Sequence, residues 1–289
     1  MVASVETLLE KWRHYEGKEI EVSGDFRILS SEVISRTAFG SSYVEGIKIF
    51  DMLQKLSVLI CENTHKLKFH GLVEFVRTKD DSEADKIEQL LHESVMEILR
   101  KRQDEVITGR ADSFGSDFIG SLLKAHHEGG EKNQMSAAEI IDECKTFYFA
   151  GQLTTHSLLT WSVLLLAIHP DWQEKGRTEV LQLFGRENPN LEGVARLKTP
   201  CTGILIYGDK TLISSNQTEG KPEAKRPTFT RFGPRICVGL NFASYEAKIV
   251  LSMILQRYKF TLSPNYVHSP FLALTVQPQH GVQVLLQPL

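Results

Sequence analysis

Cys237 stands in Phe229-Thr-Arg-Phe-Gly-Pro-Arg-Ile-Cys-Val-Gly239, directly ahead of a run with helical periodicity. A cysteine in that setting can present a thiolate to a metal. Structural zinc takes four protein ligands, and no other Cys or His lies within a few residues of Cys237, so zinc is a poor match. A porphyrin supplies four ligands itself and asks the protein for one. An axial thiolate pushes electron density onto haem iron and favours O–O cleavage. Gly233, Pro234 and Gly239 permit tight turns that bring backbone N–H groups towards the sulfur and tune its basicity. Arg235, two residues ahead of the cysteine, can pair with a propionate through charge-assisted hydrogen bonds. The competing reading makes Cys237 a small buried hydrophobe near a helix start.

A second constellation is Ala150-Gly-Gln-Leu-Thr-Thr155. Gly151 removes a side chain so that something flat can approach the backbone, and Thr154 follows about one turn later. Taken alone, these residues also fit close helix packing, with the hydroxyls bonded back to the preceding turn.

The element that must carry this second group is long. Ser136-Ala-Ala-Glu139 is a capping box, and the helical pattern continues until His169-Pro170, 33 residues counted from Ser136 through Ile168. Such a helix is on the order of 50 Å long. Thr146 to Ile168 holds no Asp, Glu, Lys or Arg, which by length qualifies as a membrane span. Gln152, Thr154, Thr155, His156, Ser157, Thr160 and Ser162 in its centre would be expensive in lipid, so a buried helix lining a pocket is the expectation. A membrane-spanning helical protein is the alternative.

Other elements follow from periodicity. Val5, Leu8, Leu9 and Trp12 mark a first helix, and Asp25 is placed to cap a second with Ile28, Val33, Ile34 and Phe39 on its apolar face. Ile47 to Ile60 is a third, and Ser82 to Val106 a long amphipathic fourth. A short helix over Phe118 to Ala125 ends in a loop holding His126 and His127, whose adjacency argues against shared ligation. Beyond Pro170 a helix runs to about Phe184, and 185–197 reads as loop. Pro, Gly, Ser, Asn, Thr and Lys dominate 199–228, where no helix is legible. Asn241 to Tyr258 is helical, and the tail, broken by Pro264, Pro270 and Pro278, suggests small β hairpins.

Composition excludes several classes. With 289 residues, 42% hydrophobic, the chain can bury a sizeable core. A net charge of -3, with basic residues scattered among acidic ones, gives no nucleic-acid footprint. Cys61, Cys144, Cys201 and Cys237 lack paired spacing, so a reducing, cytosol-facing environment is expected. The first residues carry an early acid and no long apolar core, so neither a secretory signal nor a membrane anchor is expected there.

The segment Phe232-Gly-Pro-Arg-Ile-Cys-Val-Gly-Leu-Asn-Phe-Ala-Ser-Tyr-Glu-Ala-Lys248 resembles the cysteine loop and following helix of cytochrome P450 haem-thiolate monooxygenases, in particular plant members acting on terpenoids and hormones. The resemblance implies a mainly α, incomplete P450 fold with a long central helix and small β hairpins near the C-terminus. It implies Cys237 as axial ligand to haem iron, Arg235 at a propionate, Gly233 and Gly239 in the loop, Ala150 and Gly151 forming the groove of the oxygen-binding helix, and Thr154 hydrogen-bonding to oxygen. Thr230 and Arg231 stand where the family has an aromatic residue and glycine, with Phe229 as a displaced aromatic, and Leu153 stands where it has an acid.

Only 82 residues separate Thr154 from Cys237, fewer than the family uses for its Glu-x-x-Arg helix and partner arginine. Glu174 to Arg177 and Glu223 to Arg226 have that spacing, as do Glu10 to Arg13, Glu74 to Arg77 and Glu97 to Arg100. Such pairs are common on ordinary helices, and none is assigned the family's role. The expected organisation is one partial haem-thiolate domain over 1–289: N-terminal helices 1–135, the oxygen-binding helix 136–168, a following helix and abnormal loop region 169–228, and the cysteine loop, helix and β region 229–289. The resemblance further implies O2 and a lipophilic small molecule as substrates, NADPH-cytochrome P450 reductase as electron donor, and association with the endoplasmic reticulum membrane on its cytosolic face, with no nucleic-acid partner. The alternative is a non-catalytic truncated helical protein with weak or no haem binding, and the sequence leaves both open.

Overall fold

The computed structural model describes residues 1–38, 40, 43–64, 79–128, 135–198, 237–273 and 275–289. Along the chain come α1 (Val2–Arg13), β1 (Glu19–Glu21), α2 (Val22–Ala38), α3 (Tyr43–Thr64), α4 (Lys79–Ile107), α5 (Phe118–Glu128), α6 (Ala137–Ile168), α7 (Pro170–Phe184), α8 (Leu191–Arg196), α9 (Leu240–Arg257), β2 (Tyr258–Leu262), β3 (Pro270–Ala273), β4 (Thr275–Pro278) and β5 (Gln283–Pro288). The architecture is mainly α with small antiparallel sheets, as expected. It divides into two compact units, Met1–Leu29 with Thr154–Pro270 and Gln277–Leu289, and Ser30–Leu153 with Phe271–Val276.

In the first unit, α9 packs against α1, α7, α8 and β2. Its buried face includes Ile249, Val250, Met253, Ile254 and Leu255, each side chain contributing about 1.5–3 kcal/mol on burial. Trp12 of α1, 1% exposed, meets Phe26 and Tyr258 with ring centroids 6.0 and 6.3 Å apart. Asp25 does not cap α2: it is buried in the first turn and accepts from Lys11 Nζ at 2.5 Å and Trp12 Nε1 at 2.7 Å. The cap comes from Glu21, whose carboxylate accepts from the backbone N–H of Ser23 at 2.7 Å and Gly24 at 2.9 Å. Ile28 is 40% exposed, so it lies off the buried face formed by Leu29, Val33 and Ile34; Phe39 is outside the described residues.

The C-terminal strands only partly form local hairpins. β3 pairs with β4, but β5 lies between β2 and the distant β1, antiparallel to both, with Glu19 opposite Leu285 and Tyr258 opposite Pro288. β1 escapes sequence reading because three residues with one inward side chain, Ile20, give too short an alternation. α8 lies in a stretch read as loop. Its signal is Asn190, whose Oδ1 accepts from the Gly193 N–H at 2.8 Å.

Gln173 and Arg177 fasten α7. Gln173 Nε2 donates to the Leu166 and Phe260 carbonyls at 3.0 and 2.8 Å. Arg177 donates to the carbonyls of Leu255 and Tyr258 at 3.2 and 2.9 Å and to Gln173 Oε1 at 3.0 Å. Its pairing with Glu174, at 2.5 Å, is the exposed edge of this network, since Arg177 is buried and Glu174 is not.

In the second unit, α3 packs on α4, whose Ile87, Leu91, Val95 and Leu99 are buried at spacings of four. Leu90, on another face of α4, is 51% exposed. Arg102 pairs with Asp117 at 3.0 Å and donates to the Phe114 carbonyl at 2.7 Å, while Asp117 accepts from the Gly120 N–H at 2.8 Å and caps α5. α5 continues through His126 and His127, which occupy its last turn instead of a loop.

Candidate functional site

α6 begins as the capping box predicts. Ser136 Oγ accepts from the Glu139 N–H at 3.2 Å, and the Glu139 carboxylate accepts from the Ser136 N–H at 2.7 Å. These bonds hold the Glu139 carboxyl below its ordinary range, the backbone bond most strongly and the Ser136 hydroxyl next. Among the described residues α6 is long and apolar enough to cross a membrane, yet 78% of its apolar window is buried inside the protein.

Against that burial the exposed positions stand out. Ala150 and Thr154, four apart and on one face, are exposed. Gln152, Leu153, Thr155 and His156 are buried. Nε2 of His156 lies 3.1 Å from Ser23 Oγ. Leu153, where the resemblance expects an acid, is 6% exposed and supplies no proton. Gly151 is half-buried, and a Cβ there would come within 2.6 Å of Ile34 Cδ1. Its missing side chain therefore lets α6 close on α2, a packing use that the sequence reading had not separated from a groove.

The second group forms at the start of α9. Cys237 is exposed, and its carbonyl accepts from the Leu240 N–H at 3.2 Å. Gly239 is the N-cap; a Cβ there would lie 3.9 Å from Cys237 Sγ. Cys237 stands three residues ahead of Leu240, the first residue of the 18-residue α9. Arg235 and Gly233 lie outside the described residues.

The described cysteines differ sharply. Cys144 is buried in α6 and its thiol is pushed up to about 12, chiefly by burial and then by the nearby Glu143 charge. Such a sulfur is inert as a ligand. Among the described residues no group of three or more His, Cys, Asp or Glu could hold a bare metal ion. An exposed sulfur at a helix start, with no companion ligands among the described residues, fits a metal that arrives with ligands of its own, as haem iron does.

The sequence model described as Cytochrome P450 matches residues 1–199 and 224–286. The chain belongs to the cytochrome P450 family. Members of this family bind haem through a cysteine thiolate. Cytochrome P450 CYP749A22 of Panax ginseng is 45% identical over 342 aligned positions, covering 100% of this chain and 65% of the relative. An 11-oxo-beta-amyrin 30-oxidase of Medicago truncatula is 35% identical, covering 99% and 66%, and a cytokinin hydroxylase of Arabidopsis thaliana is 33% identical, covering 100% and 65%. The chain thus spans about two-thirds of these relatives' length. The cytochrome P450DA heme domain shares the fold, with a TM-score of 0.75 at 20% identity, covering 99% of this chain and 72% of that one. Residues 200–223, within the stretch of unusual composition, lie outside the family match. The 342 aligned positions exceed this chain's 289 residues, so at least 53 positions of the Panax relative stand opposite gaps.

Proposed function

We propose that the chain is a haem-dependent monooxygenase that inserts one oxygen atom of O2 into a lipophilic small molecule. The observation that carries this reading is the exposed Cys237 at the N-terminal end of α9, in a region matched by the family model. Cys237 would ligate the iron, Arg235 would pair with a propionate, and Gly233 and Gly239 would let the loop turn beneath the macrocycle. When bound, haem supplies oxygen activation favoured by the thiolate. Ala150 and Thr154, exposed on one face of α6, would face the oxygen side, while Gly151, expected to share the groove, is taken up by packing on Ile34. The small Ala150 leaves room, and the Thr154 hydroxyl can accept one hydrogen bond while donating another. Leu153 contributes no titratable group, so proton delivery would need water, Thr154 or His156 to compensate. That arrangement predicts loose coupling of O2 consumption to product.

Electrons would come from NADPH-cytochrome P450 reductase at the endoplasmic reticulum membrane, on its cytosolic face. The domain reading follows: one partial haem-thiolate domain, with 136–168 as its oxygen-binding helix and 229–289 as its cysteine region. Relatives named as oxidases or hydroxylases of 11-oxo-beta-amyrin, 7-deoxyloganic acid and cytokinin support a lipophilic terpenoid or hormone as substrate class. A second reading, a non-catalytic chain with weak or no haem binding, is favoured by the unmatched 200–223 and the buried Leu153. The reduced, carbon monoxide-treated spectrum of haem-reconstituted protein tests both. A red-shifted Soret band lost in Cys237→Ser supports the monooxygenase reading. A band typical of histidine ligation, or no bound haem, overturns it in favour of the second.

A further inference from the structure

Three aromatic rings lead from the buried face of α6 to the surface. Trp161 is 7% exposed, and its ring meets His268 edge-on with centroids 6.1 Å apart at 71°. The Tyr266 hydroxyl lies 2.8 Å from His268 Nδ1, with ring centroids 6.0 Å apart. His268 is exposed and Tyr266 half-buried. The segment is pinned on both sides. Tyr266 N–H donates to the Ser263 carbonyl at 3.1 Å, Ser263 Oγ and Asn265 Nδ2 donate to the Glu19 carboxylate, and Ser269 and Gln279 bond to each other through backbone and side chain, both at 2.8 Å.

We propose that Trp161, His268 and Tyr266 form a redox outlet, in which an oxidising equivalent arriving at Trp161 ends as a neutral radical on Tyr266. A one-electron oxidant removes an electron from the Trp161 indole, leaving a radical cation. Tyr266 returns that electron to Trp161, and its phenolic proton moves along the hydrogen bond to His268 Nδ1, leaving a neutral phenoxyl radical and an imidazolium. A one-electron reductant of the ascorbate class then reduces the phenoxyl, which recovers its proton from His268. Burial pushes the Tyr266 phenol up, so the group is protonated at neutral pH and can lose its electron cheaply only beside a base. His268 is that base. Trp161 lies seven residues beyond Thr154 on α6, about 10 Å along the axis. Use of the outlet by a centre at Thr154 rests on the haem reading above; the outlet itself does not.

Pulse radiolysis tests this without haem, using azide radicals as the one-electron oxidant of indoles on the full chain carrying Trp172→Phe. Trp12, 1% exposed and bonded to Asp25, is shielded. The expected result is an indolyl signal that decays as a tyrosyl signal rises, at a rate independent of protein concentration. Tyr266→Phe should remove most of the tyrosyl signal and prolong the indolyl one, and His268→Phe, which keeps a ring against Trp161 but removes the base, should slow the transfer. A tyrosyl signal undiminished by Tyr266→Phe, or a rate unaltered by His268→Phe, overturns the outlet. Spin trapping on the same chain with Tyr266 and His268 intact gives a second measurement: an adduct mapped by mass spectrometry to Tyr266 supports it, and adducts confined to other tyrosines such as Tyr15 overturn it. Because no haem is present, failure here is distinct from failure of the carbon monoxide spectrum.

Discussion

Burial separates the reactivities of Cys144 and Cys237. With its thiol at about 12 and its side chain inside the core, Cys144 presents neither access nor thiolate. In the native chain, iodoacetamide should modify Cys237 at least about a hundredfold faster than Cys144, a ratio that collapses in urea; peptide mass mapping reads both sites. Bound haem should protect Cys237 alone. Arg177 shows what spacing hides. As sequence it is one of several i,i+3 partners of a glutamate, indistinguishable from Arg13 beside Glu10. In the structure its guanidinium bonds carbonyls 78 and 81 residues away, while Arg13 is 66% exposed. Arg177→Ala leaves those acceptors buried and should destabilise the protein by about 3 kcal/mol or more, whereas Arg13→Ala should be close to neutral. Urea denaturation of both variants checks the contrast.

The elements that read clearly from sequence were those with a long period and a marked start. α6 and α7 are bounded by a capping box and by His169-Pro170, and both appear within a residue of the expected limits. α8 and β1 are too short for periodicity, and β1 exists because β5 lies beside it. At the site, the sequence identified the helix carrying Thr154 but not the contact of Gly151 with Ile34, which depends on α2 closing from elsewhere in the chain. The start of α6 carries a pH dependence. The folded Glu139 carboxyl titrates below its unfolded value, so its stabilising contribution is complete above the ordinary carboxylate range and is lost as pH falls through the lowered folded value. Protection factors at the first turn of α6, with the intrinsic exchange rate at each pH divided out, should therefore fall on acidification. Glu139→Gln should remove that pH dependence, whereas Ser136→Ala, which keeps the backbone N–H bonded to the carboxylate, should only weaken it.

Across the whole molecule, the departure from the family is concentrated in one stretch. Residues 1–199 and 224–286 match the family model, and at least 53 positions of the Panax relative stand opposite gaps. Replacing 200–223, which lies outside the family match, with the segment that joins the flanking regions in the Panax ginseng relative should raise haem occupancy and the red-shifted carbon monoxide band. An unchanged spectrum would locate the deficiency elsewhere, with Arg231 and Leu153 the next positions to revert. The unit built around α9 carries a further consequence in its three-stranded sheet. β5 is the middle strand, and it pairs residues 283–285 with residues 19–21. During synthesis β1 gains its neighbour only after the intervening residues 22–282 have been made, so α1 and β1 leave the ribosome with their apolar side chains unsheltered. Production of this protein should accordingly depend on chaperones that hold nascent chains, and deleting residues 283–289, which carry β5, should cause aggregation even though no proposed site residue is touched.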